Sequence, residues 1–268
     1  MVKREFIKDE EFYLASPDTL IRAIENREFT PWFQPVFSSE NGKIAGCEVL
    51  VRWEHPDVGV IPPEQFIPHL ETGGLIALLT SVLMEQTVDT LGIVSQYIPD
   101  NFHVGINISA DNLSGASLEQ GCIKLLNIPE LHNVKLVLEL TERERFPDTP
   151  DILVKLKRLK EYGILLALDD FGTGYSSYHY LQEFPLDFIK IDKSFIQQME
   201  TDGVSMILVD NIIHLAKKLG IGLVAEGVET ANQARLVAGK GVHYLQGYLF
   251  SPPLPGNMFI RKYFDSHI

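Results

Sequence analysis

The sequence predicts an α/β fold, a (β/α)8 barrel of TIM-like type that opens with a β-hairpin. Three observations carry that expectation. From about Thr30 onward, short apolar β-branched runs alternate with amphipathic segments, the pattern that builds parallel sheets. Eight of the runs have strand character, and 268 residues suit a single barrel domain of about 250. The open doubly wound alternative calls for G-x-G-x-x-G after its first strand, whereas Gly172-Thr173-Gly174 lacks the third glycine and follows two aspartates.

The elements can be justified in order. Residues 1–15 read as a leader or linker: they are charged and have no apolar h-region, so they are not a secretory signal, and residues 16–268 read as one domain. Ser16-Pro17-Asp18 opens a helix to Asn26, with Ser16 as cap and Pro17 at its first position. Runs 32–37 and 43–53 flank Asn41-Gly42 and read as the hairpin. Further strands are expected at 103–107, 135–139, 164–169, 188–191, 222–225 and 244–246. Helices are expected at 76–97, 117–126, 152–162, 205–219 and 231–238, the last stopped by Gly239 and Gly241. The longest apolar stretch, 75–84, contains Thr80 and Ser81 and ends at Glu85, too short to span a bilayer. No membrane segment is therefore expected in this chain, although a longer parent could carry a membrane anchor or a sensory domain.

Composition limits the chemistry. A net charge of −13 and a pI near 5.0 exclude a broad footprint for a nucleic acid polymer, so an anionic substrate needs local cations. Cys47 and Cys122 are too few for a disulfide framework or a Cys-rich zinc site and suit a reducing compartment.

Polar residues recur where the apolar runs end: Glu48, Asn107, Glu139, Asp169-Asp170, Lys190, Glu226 and Gln246. An acid at one strand end is ordinarily a helix cap, but capping does not explain recurrence at the same end of so many strands. In a parallel barrel those ends converge on the C-terminal mouth, where active sites of this fold lie. Glu, Asn and Asp without His form a hard-oxygen set suited to Mg2+ or Mn2+. Adjacent Asp169 and Asp170 let one carboxylate bridge two ions, as two-metal phosphodiester hydrolysis requires, and Lys190 adds a positive charge for the phosphate or the nucleophile. Asp169-Asp170-Phe171-Gly172 also contains the kinase Asp-Phe-Gly, but no kinase glycine loop or His-Arg-Asp accompanies it. His103 and His243 fall near strand beginnings, away from this mouth.

In order along the chain, Cys47-Glu48-Val49-Leu50-Val51-Arg52-Trp53, Leu138-Glu139-Leu140-Thr141-Glu142, Asp169-Asp170-Phe171-Gly172-Thr173-Gly174, Ile189-Lys190-Ile191-Asp192, Ala225-Glu226-Gly227-Val228-Glu229 and Gln246-Gly247-Tyr248 resemble the motifs of the EAL family. The likeness runs from about Pro17 to Pro255. It implies a metal-dependent phosphodiesterase that hydrolyses cyclic di-GMP to linear pGpG with two ions, Mg2+ or Mn2+, and is inhibited by Ca2+. By the same resemblance Glu48, Asn107, Glu139 and Asp169 hold one ion, and Asp169, Asp170 and Glu226 the other. Lys190 positions the nucleophilic water, Gln246 and Glu229 support its network, and Glu142 anchors the loop from Asp170 to Ser177. Arg52 clamps a phosphate, and Gln34, Leu50 and Asp192 face the nucleotide. A homodimer formed through the region after Tyr175 and a cytoplasmic setting are also implied. Degenerate members act instead as receptors or interaction modules, typically after losing metal ligands, the paired Asp, the Lys or the loop glycines, all of which this sequence retains. Two differences stand out: Val49 replaces the Ala of the name-giving motif, its side chain expected on the helix-facing side of the strand, and Pro252 stands where many members carry a basic residue.

Overall fold

The structure is a computed structural model and describes residues 16–142, 146, 150–174 and 177–265. The leader expected over residues 1–15 lies outside the described residues.

Helix α1 (Pro17–Glu25) begins as its sequence dictates: the Ser16 hydroxyl accepts from the Thr19 N–H, and Pro17 occupies the first turn, where no N–H partner is needed. Its buried Leu20, Ala23 and Ile24 pack with Phe29, Trp53, Phe66 and Leu70 in a small core of their own. Strands β1 (Phe29–Ser38) and β2 (Ile44–His55) form the hairpin, with Gly42 at φ +67° in the turn. Short β3 (Gly59–Ile61) extends it. There follow α2 (Ile67–Thr72), α3 (Ile76–Gly92), β4 (Phe102–Ile108), α4 (Ala110–Ser114), α5 (Ser117–Leu126), β5 (Val134–Thr141), α6 (Pro150–Glu161) and β6 (Leu165–Phe171). The rest of the chain supplies α7 (Ser177–Glu183), β7 (Phe188–Ile191), α8 (Lys193–Gln198), α9 (Gly203–Leu219), β8 (Gly222–Ala225), α10 (Ala231–Gly239), β9 (Tyr244–Gln246), β10 (Leu254–Pro255) and α11 (Gly256–Phe264).

From β2 through β4, β5, β6, β7 and β8 to β9, every neighbouring pair is parallel. Strand β1 is antiparallel to both β2 and β9 and closes the circle, so the barrel has eight strands of which one is reversed. The reversal follows from the hairpin, because a tight Asn-Gly turn can join only antiparallel neighbours.

Alternation along each strand divides the side chains into two sets. Val104, Ile106, Leu136, Leu138, Leu166, Leu168, Ile189 and Leu223 belong to the main core between strands and helices, and Val49 joins them at 4% exposure, as its strand parity predicts. The inward set begins with an aromatic floor in which the His103 ring lies 5.3 Å from Phe188 and 5.1 Å from Tyr244. This end of the barrel is therefore plugged by rings, and the polar inward residues collect at the other.

The helix expected over 76–97 stops at Gly92, and residues 95–97 form a separate 3-10 turn. Helices α2, α4, α7 and α8 are too short for a helical period to show in the sequence, whereas α11, nine residues long with Phe259, Ile260 and Phe264 on its buried face, is not among the expected elements.

Candidate active site

At the open end the Lys190 ammonium, 2% exposed, lies 2.6 Å from Glu139, 2.8 Å from Glu226, 3.1 Å from Glu48 and 3.3 Å from Asp169. These groups come from five different strands or strand ends: β2, β5, β6, β7 and the residue after β8. Glu48 is held further by the Asn107 amide at 2.9 Å and the Gln246 amide at 2.6 Å, and Gln246 reaches Gln34 at 3.2 Å. Gly105 makes room for the cluster. A Cβ there would stand 2.0 Å from a Glu139 carboxylate oxygen.

Two sets of acids converge to ligand-bridging distance: oxygens of Glu48, Glu139 and Asp169 lie within 4.8 Å of one another, as do those of Asp169, Asp170 and Glu226. Asp169 belongs to both. Consecutive residues of a strand point to opposite faces, so the pair needs a break in the strand to face one site. That break is present: Asp170 has φ +54°, and the β6–β7 register shifts between Leu168 and Phe171. Such a left-handed backbone costs about 1–2 kcal/mol for a residue other than glycine, and Asp is one of the few that adopt it.

The charges are strongly coupled. Burial works against ionised Glu48, yet Lys190, Gln246 and Asn107 together hold its carboxyl below the usual range. Burial and the neighbouring Glu48 push Glu139 well up, and burial with Asp169 does the same to Glu226. Asp169 is raised by burial and by Glu48, against the pull of Lys190. For Lys190, burial is overcome by Asp169, Glu139, Glu226 and Glu48, which keep it firmly protonated. A site with more acid than it can ionise alone, built only from oxygen donors, fits a pair of hard divalent cations.

Above the cluster is a cleft of about 500 Å3. Gln34, Leu50, Arg52 and Glu229 line it, together with Glu48, Asp169, Asp170, Glu226 and Gln246. Residues paired across the hairpin, Gln34 with Glu48, Trp32 with Leu50 and Thr30 with Arg52, form one continuous face leading outward from the cluster. The Arg52 guanidinium lies 5.6 Å from the Trp32 ring centre, and Glu54 accepts from both the Trp32 indole and the Thr30 hydroxyl.

Three of the remaining expected residues have visible local partners. Glu142 is buried and accepts from the Gly172 N–H at 2.7 Å; Tyr175 and Ser176, further along that loop, lie outside the described residues. Glu229 accepts from Gln197 at 2.8 Å. Asp192 is buried and caps α8 through the Ser194 N–H at 2.9 Å, so it fixes the start of that helix and does not itself line the cleft. The cleft wall also contains Glu64, Lys193, Gln197 and Tyr248, which strand-end reasoning does not reach because they come from loops and from α8. Tyr248 closes the Gln246-Gly247-Tyr248 motif and Lys193 follows Lys190 by three positions, whereas Glu64, in the 3-10 turn Pro63–Gln65, has no motif beside it.

The EAL domain family model matches residues 18–253. The chain is 53% identical over 259 residues to the cyclic di-GMP phosphodiesterase PdeL of Escherichia coli K12, covering 96% of this chain and 72% of PdeL. It is 39% identical over 241 residues to PdeG of the same organism, named a probable cyclic di-GMP phosphodiesterase, covering 90% of this chain but only 48% of PdeG. The chain thus spans about half the length of that longer relative. Among solved structures, the PaMucR phosphodiesterase in a c-di-GMP complex superposes with a TM-score of 0.80 at 33% identity, covering 90% of this chain and 98% of that one. With its barrel, its strand-end acids and a family match over nearly its full length, the chain belongs to the EAL domain family.

Proposed function

We propose that this domain hydrolyses cyclic di-GMP to linear pGpG. The observation that carries the reading is the pair of carboxylate triads sharing Asp169 at the barrel mouth, with Lys190 beneath them. Glu48, Asn107, Glu139 and Asp169 would hold one cation and Asp169, Asp170 and Glu226 the other, Mg2+ or Mn2+; when bound, the pair supplies charge that acidifies a water and neutralises the phosphate. Lys190 orients that water and keeps the crowded acids compensated. Gln246, tied to both Glu48 and Gln34, carries the hydrogen-bond network from the ligands to the substrate wall. Glu229 supports that network from the segment after β8, where the neighbouring Val228 N–H donates to the Gln246 carbonyl at 3.0 Å. Arg52 presents a planar donor set to a phosphate, and Trp32 limits where it can swing. Gln34 and Leu50 contact the nucleotide, Asp192 holds the adjoining helix, and Glu142 tethers the loop after Asp170. The water oxygen bonds to phosphorus, the P–O3′ bond breaks, and the water proton ends on the released hydroxyl. Homodimerisation and a cytoplasmic setting belong to the same reading.

The test is incubation with cyclic di-GMP and Mg2+ or Mn2+, with pGpG followed by chromatography. The expected outcome is metal-dependent pGpG formation, lost in Glu48→Ala, with Ca2+ supporting binding but not turnover. Binding without turnover in every metal would instead indicate a receptor.

A further inference from the structure

The cleft wall is acidic, with Glu48, Glu64, Asp169, Asp170, Glu226 and Glu229, and two cationic side chains line it, Arg52 and Lys193. The two differ in how they are held. Arg52 lies over Trp32 and donates to the Val51 carbonyl at 2.8 Å. The Lys193 ammonium has no hydrogen-bond or ion-pair partner among the described residues, even though the same cleft contains six carboxylates. Nearby Glu229 is bonded to Gln197 instead.

The root of Lys193 is nonetheless fixed. It is the first residue of α8, directly after the buried cap Asp192. On its other side Gly227, at φ +63°, approaches so closely that a Cβ there would lie 2.4 Å from the Lys193 Cβ. The backbone is therefore held between a buried cap and a glycine, while the ammonium remains available to the cleft.

The barrel order gives this cation a partner. Around the circle β1, β2, β4, β5, β6, β7, β8 and β9, Arg52 stands toward the end of β2 and Lys193 two residues past β7, half the circumference away in either direction. A simple phosphodiester offers one anionic group to such a pair. A cyclic dinucleotide offers two, on opposite sides of a closed ring.

We propose that Lys193 binds the phosphodiester that is not being hydrolysed while Arg52 serves the reacting one, so that the opposed cations select two-phosphate rings over simple phosphodiesters. The proposal rests on the phosphodiesterase reading above. Lys193→Met tests it, because methionine keeps the stem that packs on Gly227 and removes the charge. kcat/KM is measured with Mn2+ for cyclic di-GMP and for bis(p-nitrophenyl) phosphate. In Lys193→Met the ratio of the two values should fall about tenfold, through KM for cyclic di-GMP, and Lys193→Arg should recover most of it. An unchanged ratio, whether neither substrate is affected or both fall alike, overturns the proposal. If the unaltered protein turns over neither substrate, the phosphodiesterase reading fails, and cyclic di-GMP titration in Ca2+ then decides on Lys193 separately. About tenfold weaker binding by Lys193→Met upholds the proposal, and equal binding overturns it.

Discussion

Lys190 makes ion pairs with four buried or half-buried acids, so its removal is not a local loss. Taking one partner from a buried charge cluster costs about 3–5 kcal/mol, because the remaining charges lose their compensation. Lys190→Met should therefore lower the melting temperature of the metal-free protein by several degrees, and Mn2+ should recover most of the loss by supplying positive charge at the same place. Scanning fluorimetry with and without EDTA checks this; a variant as stable as its parent in EDTA would show that the ion pairs contribute nothing. The identities of these residues were legible in the sequence because each follows an apolar run. Their partnerships were not. Nothing in the linear order says that Lys190 lies between Glu139 and Glu226, since that depends on which strands face one another across a closed barrel.

At the scale of elements, β4 shows how one position without a side chain supports a neighbouring strand. Gly105 is opposite Val137 in the β4–β5 register, two residues before the Asn107–Glu139 pair, and only its missing Cβ lets the Glu139 carboxylate lie inward. Gly105→Ala should displace that carboxylate and reduce turnover about a hundredfold, the usual consequence of roughly 1 Å of misplacement, while far-UV circular dichroism stays unchanged. Turnover within twofold of the parent would contradict this account of Gly105. The sequence placed the eight barrel strands well because hydrophobic runs bounded by Gly, Asn and Asp are strong local signals. The bend at Asp170 escaped it: both aspartates are expected at the metal site, but the positive φ that turns the second of them toward it leaves no mark in the sequence. The α8 segment escaped for another reason. Six residues are too few for a helical period to show, and with them went Lys193 and Gln197.

For the molecule as a whole, the acid cluster makes stability depend on pH and metal together. Glu139, Glu226 and Asp169 hold their protons more tightly in the folded metal-free protein than in the unfolded chain. Their contribution is complete below the ordinary carboxylate range and is lost as pH rises through the raised values. Glu48, with its lowered value, works in the opposite direction, one group against three. The melting temperature in EDTA should therefore fall relative to that in Mn2+ as pH goes from about 5 to about 8, and metal loading should release protons. A gap that stays constant or narrows over that range would refute the coupling. The barrel itself was readable from alternation, but the reversed β1 has a further consequence. Gln34 and Gln246 bond across a separation of 212 residues, and β1 also pairs with β10 at Leu254 and Pro255. During synthesis the first strand therefore leaves the ribosome long before its second neighbour exists. It must wait with one bare edge, exposed to chaperones or to other nascent chains, until almost the whole domain has been translated.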